Sequence, residues 1–84
     1  MEFRLLIDLK AVEVLNALTK TTCKRLMGHF AEIRSFPSKY SDYHEQDAIG
    51  RRIEISLRAG WAIHYWIDNA DQHVKILALR AADR

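Results

Sequence analysis

From Arg52 to Arg80 the sequence runs through three consecutive strand-like segments separated by short turns. In the first two, apolar and polar residues alternate, the period a strand with one buried face requires. In residues 52–58, Ile53, Ile55 and Leu57 alternate with Arg52, Glu54, Ser56 and Arg58. Ala59-Gly60 makes the first turn. In residues 61–68, Trp61, Ile63, Tyr65 and Ile67 alternate with Ala62, His64, Trp66 and Asp68, and Asn69-Ala70-Asp71-Gln72 makes the second turn. Residues 74–80 (VKILALR) are apolar on both faces, as in a strand covered on each side. The three segments form an antiparallel meander, and the fold must be built around it.

The N-terminal half adds a strand and two helices. Phe3, Leu5 and Ile7 alternate with Arg4, Leu6 and Asp8, which predicts a strand over 3–7. Asp8 can cap the helix that follows, and Leu9, Val12, Leu15 and Leu18 supply its apolar stripe over 9–18. Thr19, Thr21 and Thr22 interrupt it, because Thr is a poor interior helix residue and a good cap. A second helix is predicted over 22–35, with Cys23, Leu26, Met27, Phe30 and Ile33 on one stripe. Gly28 inside it suggests a close approach by the first helix. Phe36-Pro37 stops it, since the residue before proline is pushed out of the α region. Residues 38–50 (SKYSDYHEQDAIG) lack periodicity and read as a polar, acidic loop. The fold class is therefore α+β, with the order β-α-α-β-β-β: a two-helix N-terminal hairpin packed on an antiparallel sheet. Residues 1–84 are read as a single domain.

Composition excludes several classes. Hydrophobic residues make up 49% and charged residues 29%, which is ordinary for a globular chain. Cys23 is the only cysteine, so neither an intrachain disulfide nor a thiolate metal cluster is available, as expected in a reducing compartment. The opening residues are too charged for a signal peptide, and no run of about 18 apolar residues suggests a membrane span. These features predict a cytoplasmic protein. Net charge is +2, distributed as +3 over residues 1–40, −3 over 41–50 and +2 over 51–84. That permits a nucleic-acid partner without demanding one.

The order of elements, together with Ile33-Arg34-Ser35-Phe36-Pro37, Gly50-Arg51-Arg52-Ile53-Glu54-Ile55, the Gly60–Asp68 segment and Val74–Leu79, resembles the RelE/ParE superfamily of bacterial toxins. The resemblance spans nearly the whole chain, and its individual motifs are weak. It implies a type II toxin held inactive by a cognate antitoxin, a protein expected from a neighbouring gene. RelE-like members cleave mRNA on the ribosome without a metal, whereas ParE-like members poison DNA gyrase. A toxin-fold binding module without catalysis is the third alternative. RelE-like ribonucleases use Lys and Arg on the meander with an aromatic residue or a C-terminal Tyr or His. Here Ala62, two residues after Gly60, stands where such enzymes tend to have a catalytic Arg, and Glu54 stands where a Lys is expected. The sequence also ends at Arg84 without a further helix carrying a Tyr.

Cleavage by 2′-OH attack needs a base, cations for the phosphorane and an acid for the leaving oxygen. The residues best suited are Arg52, Arg58, His64 and Arg80 as catalytic groups, with Arg51 and Arg84 as nucleic-acid contacts. Arginine grips phosphate in two places and stays charged, and His64 is the one group on the meander proper able to move a proton near neutral pH. Arg52 and Arg58 lie about 20 Å apart along their strand, so the strand contributes one of them to a site. Arg, Glu and Ser on one strand face are also the usual make-up of a solvated face. Trp61 and Trp66 are expected in the core. His29, His44 and His73 show no metal-like spacing with carboxylates or with one another, His44-Glu45 being the nearest to a pair, so neither metal nor cofactor is expected.

Overall fold

A computed structural model of the chain describes residues 3–82. The elements are β1 (Arg4–Ile7), α1 (Leu9–Ala17), α2 (Lys20–Ser35), β2 (Tyr43–Gln46), β3 (Arg52–Arg58), β4 (Trp61–Asp68) and β5 (His73–Ala81). They form one five-stranded sheet in the order β1-β5-β4-β3-β2. The meander β3–β4–β5 is antiparallel, as its pattern requires, while β1 joins β5 in parallel, so the sheet is mixed.

Both helix starts are capped by side chains. The Asp8 carboxylate accepts from Lys10 N–H at 2.9 Å, and Thr19 Oγ1 accepts from Thr22 N–H at 3.2 Å. Thr19 therefore starts α2 at Lys20, two residues before the expected point. Phe36 ends it in a non-helical conformation ahead of Pro37. Ala59 and Gly60 both have positive φ, 55° and 82°, which gives the tight turn that suits the twist of β3 and β4.

Both helices cover one face of the sheet. The core joins Ala11, Leu15, Leu26, Phe30 and Ile33 to Ile63, Tyr65, Val74, Ile76 and Leu79. The stripe of α1 is rotated from the expected one: Ala11, Val14, Leu15 and Leu18 pack, and Leu9 is 69% exposed. On α2, Met27 points outward while Leu26 and Phe30 are fully buried. Gly28 does not mark a close helix approach, since a Cβ there would meet nothing within 4 Å.

Two features were not legible in the sequence. The segment 38–50 contains an edge strand, β2, paired antiparallel with β3 through Tyr43↔Ile55 and Glu45↔Ile53. All four of its residues are exposed, so it has no apolar alternation to reveal it. Within β4–β5 the register shifts at His64/Tyr65: His64 pairs with Ala78 and Tyr65 with Ile76. Leu77 is thus the extra residue of a bulge, which reverses the facing of everything after it.

Candidate functional site

Strand register assigns Arg52, Arg58, His64 and Arg80 to faces of the sheet. Arg52, Glu54, Ser56 and Arg58 share the helix-covered face, because Glu54 pairs with the core residue Tyr65 and Ser56 with the core residue Ile63. His64 faces the other way, paired with Ile55 and Ala78. Unbroken alternation from Ile76 would have put Arg80 on the core side. The bulge at Leu77 moves it to the uncovered face, directly across from Ala62 and diagonal to His64. The structure therefore brings His64 and Arg80 together and keeps Arg52 and Arg58 away from them. Arg84 lies outside the described residues.

On the uncovered face, His64 is flanked by Arg80 and by Glu45 of β2, whose carboxylate oxygen lies 4.0 Å from His64 Nδ1. Burial, and then the Arg80 charge, hold the imidazole below its usual pKa of 6.5, while Glu45 pulls the other way. His64 is consequently neutral near pH 7. Among the described residues Arg80 has no carboxylate partner within ion-pair distance, and its side chain is exposed. Beside this pair, Trp66 has the Arg51 guanidinium and the Lys75 ammonium each 4.9 Å from its ring centre. Trp66 is therefore a partly exposed platform between two cations and not a core residue. Trp61 does pack against the core. Arg51 is held in place by the Asp47 carboxylate at 2.7 Å.

The helix-side arginines have other surroundings. Arg52 Nε donates to Glu54 at 2.7 Å, and the second oxygen of Glu54 accepts from Ser41 Oγ at 2.6 Å. Glu54, only 6% exposed, thus ties the 38–42 segment to β3 and does not reach the open face. These groups line a polar cleft of about 530 Å³ with His44. Arg58 lies 3.5 Å from Glu32 of α2. Glu32 also accepts from His29 Nδ1 at 2.8 Å, chiefly for which its carboxyl lies below the usual range. His29 Nε2 is 2.7 Å from Ser56 Oγ. This Glu–His–Ser relay has the order of a hydrolase triad, but Ser56 is 1% exposed and no substrate can reach it. It is a polar tie between α2 and β3. Sequence reading missed it because residues 27 apart carry no shared pattern.

The mixed five-stranded sheet with two N-terminal helices on one face matches the fold of solved RelE toxin structures. The chain superimposes with a TM-score of 0.83 on a chain of the archaeal RelE–RelB complex from Pyrococcus horikoshii, at 20% identity over 100% of this chain and 99% of that one. It matches a RelBE toxin–antitoxin complex from Mycobacterium tuberculosis with a TM-score of 0.84, at 16% identity over 99% of this chain and 95% of that one. Against the isolated E. coli RelE toxin the TM-score is 0.78, at 15% identity over 98% of this chain and 86% of that one. No family model matches the sequence, and no curated protein matches it.

Proposed function

We propose that this chain is the toxin of a type II toxin–antitoxin pair and that it cleaves mRNA on the ribosome through its uncovered sheet face. One observation carries the reading: an exposed guanidinium, Arg80, with no carboxylate partner among the described residues, stands beside a neutral imidazole, His64, on the sheet. Arg80 reaches the space beside Ala62 from the neighbouring strand, so a cation is supplied where Ala62 offers none. A neutral His64 can take the 2′-OH proton as the oxygen attacks the adjacent phosphorus. Arg80 can hold the non-bridging oxygens as charge builds on them. The departing 5′ oxygen takes a proton from solvent, leaving a cyclic phosphate. Arg51 and Lys75, with Trp66 between them, extend the cationic track along which RNA would lie.

The partner in this reading is an antitoxin, because two of the matched structures are toxin–antitoxin complexes. Leu9 and Phe36, 69% and 59% exposed, are apolar surface for it to cover. Among the described residues no helix is long and apolar enough to cross a membrane, and the reading places the chain with ribosomes in the cytoplasm.

The test is induced expression followed by primer extension on cellular mRNA, repeated with purified ribosomes. The parent should arrest growth and cut ribosome-bound message. Arg80→Ala and His64→Ala should each reduce cleavage by about 100-fold or more while remaining folded. Arrest with intact mRNA would transfer the reading to a non-nuclease toxin such as a gyrase poison. Equal cleavage by parent and both variants would remove this face as the site.

A further inference from the structure

Three ligand-bearing side chains meet at the β4–β5 hairpin. Asp68 ends β4, Asp71 lies in the turn, and His73 opens β5 directly across from Asp68. One carboxylate oxygen from each aspartate and one ring nitrogen of the histidine all lie within 4.8 Å of one another. The cluster is built rather than loosely gathered. Asp68 is only 13% exposed, and its Oδ1 is fixed by accepting from Asp71 N–H at 3.2 Å. His73 Nδ1 is buried and has no hydrogen-bond partner among the described residues. A buried ring nitrogen without a partner is rare in native proteins and calls for an explanation, an ion among them.

We propose that Asp68, Asp71 and His73 form a binding site for a divalent transition metal, with Zn²⁺ the best fit. The donor set decides the class. Mg²⁺ and Ca²⁺ favour all-oxygen shells, whereas Zn²⁺ takes imidazole nitrogen and carboxylate oxygen at about 2.0–2.2 Å. Tetrahedral ligands at those lengths lie roughly 3.4 Å apart, so the three groups need only small side-chain rotations to close on an ion. Three protein ligands leave a fourth position for water.

One group opposes the ion. Lys75 Nζ lies 3.6 Å from Asp68 Oδ2 and would compete for that carboxylate. The same Nζ stands 4.9 Å from the Trp66 ring centroid, so the ammonium is held between the carboxylate and the ring. Lys75 therefore sets the affinity. The hairpin also carries β1, since Arg4 N–H donates to the Gln72 carbonyl at 2.8 Å. A bound ion would pin β4, β5 and β1 together at one end of the sheet. His64 is four residues away along β4, about 13 Å by strand rise, so the ion stands clear of the proposed reacting groups and does not depend on them.

The experiment is calorimetric titration of Zn²⁺ into the chelator-treated full chain, with thermal melts and ¹⁵N spectra of the histidine rings in parallel. One ion per chain is expected, with the His73 resonances moving first and the melting temperature rising with Zn²⁺ concentration. Asp71→Asn, at an exposed turn position, and His73→Gln should each weaken binding by about 100-fold. Lys75→Met should strengthen it by at least about tenfold, because a cation near the carboxylate is gone. His44→Gln should leave it unchanged. Circular dichroism of each variant confirms folding, and the gain in Lys75→Met tests the site even if His73→Gln does not fold. Undiminished binding in Asp71→Asn, no gain in Lys75→Met, or no heat at about 1 mM Zn²⁺ would each overturn the proposal.

Discussion

The buried relay between α2 and β3 gives a quantitative test of what holds the helix layer to the sheet. His29 is 2% exposed and Ser56 1%, and they meet at 2.7 Å. Replacing His29 with Leu keeps the volume roughly filled but leaves the Ser56 hydroxyl buried without a partner. A buried, unsatisfied polar group costs about 1–3 kcal/mol. The loss of the second bond, to Glu32, adds little because Glu32 is 44% exposed and stays hydrated. His29→Leu should therefore destabilise the chain by about 1–3 kcal/mol. Ser56→Ala alone should cost about 1–3 kcal/mol, since it strands His29 Nε2 instead. The double variant removes both polar groups together, so it should be no less stable than the worse single variant. The coupling energy is then about 1–3 kcal/mol. Urea unfolding of the four proteins measures it, provided the dependence on denaturant is the same in all of them. At about 4–8 °C per kcal/mol for a domain of this size, the single variants should also melt clearly earlier. Additive losses, within about 0.3 kcal/mol, would show that the contact contributes no energy of its own and refute the reasoning.

Three further outcomes follow from particular contacts. Tyr65→Phe removes a buried hydroxyl that donates to the Pro37 carbonyl at 2.6 Å and whose pKa is pushed up by burial, so it should cost about 1–3 kcal/mol in chemical unfolding. Gly28→Ala should stabilise by about 1 kcal/mol, because the helix gains propensity and the added Cβ meets nothing within 4 Å; a loss of stability would mean that the space around it is filled. His64 titrates below its usual 6.5, so the unfolded chain takes up the proton first, and the stability His64 contributes at higher pH is lost as pH falls through 6.5 toward the lower folded value. His64→Gln should flatten that part of the stability curve, Arg80→Ala should raise the His64 pKa and Glu45→Gln should lower it. Unfolding across pH reads the first and ring-proton NMR the other two, and a His64 titrating at or above 6.5 in the parent would contradict the arrangement.

The sequence by itself determined the elements whose burial follows a period. The meander strands appear at 52–58 and 61–68 as expected, and the third extends by one residue at each end, to 73–81. Asp8 and Phe36-Pro37 mark helix ends because capping and the restriction before proline are local effects. The resemblance to the RelE/ParE superfamily was legible from the same pattern. What sequence could not determine is anything set by a neighbour across space. The exposed edge strand Tyr43–Gln46 exists through its hydrogen bonds to β3, not through an apolar face of its own. The parallel pairing of β1 with β5 joins residues about 70 positions apart. Asp68, Asp71 and His73 show no metal-like pattern as a string and meet only because the hairpin sets Asp68 across from His73. The facing of Arg80 was decided by one unpaired residue, Leu77: strict alternation would bury that arginine beneath the helices, and the bulge instead turns it out beside His64, while Arg52 and Arg58, equally basic in sequence, lie on the opposite face. Alternation fixes which residues of one strand share a side, but only the packed sheet and its irregularities decide which sides of different strands coincide.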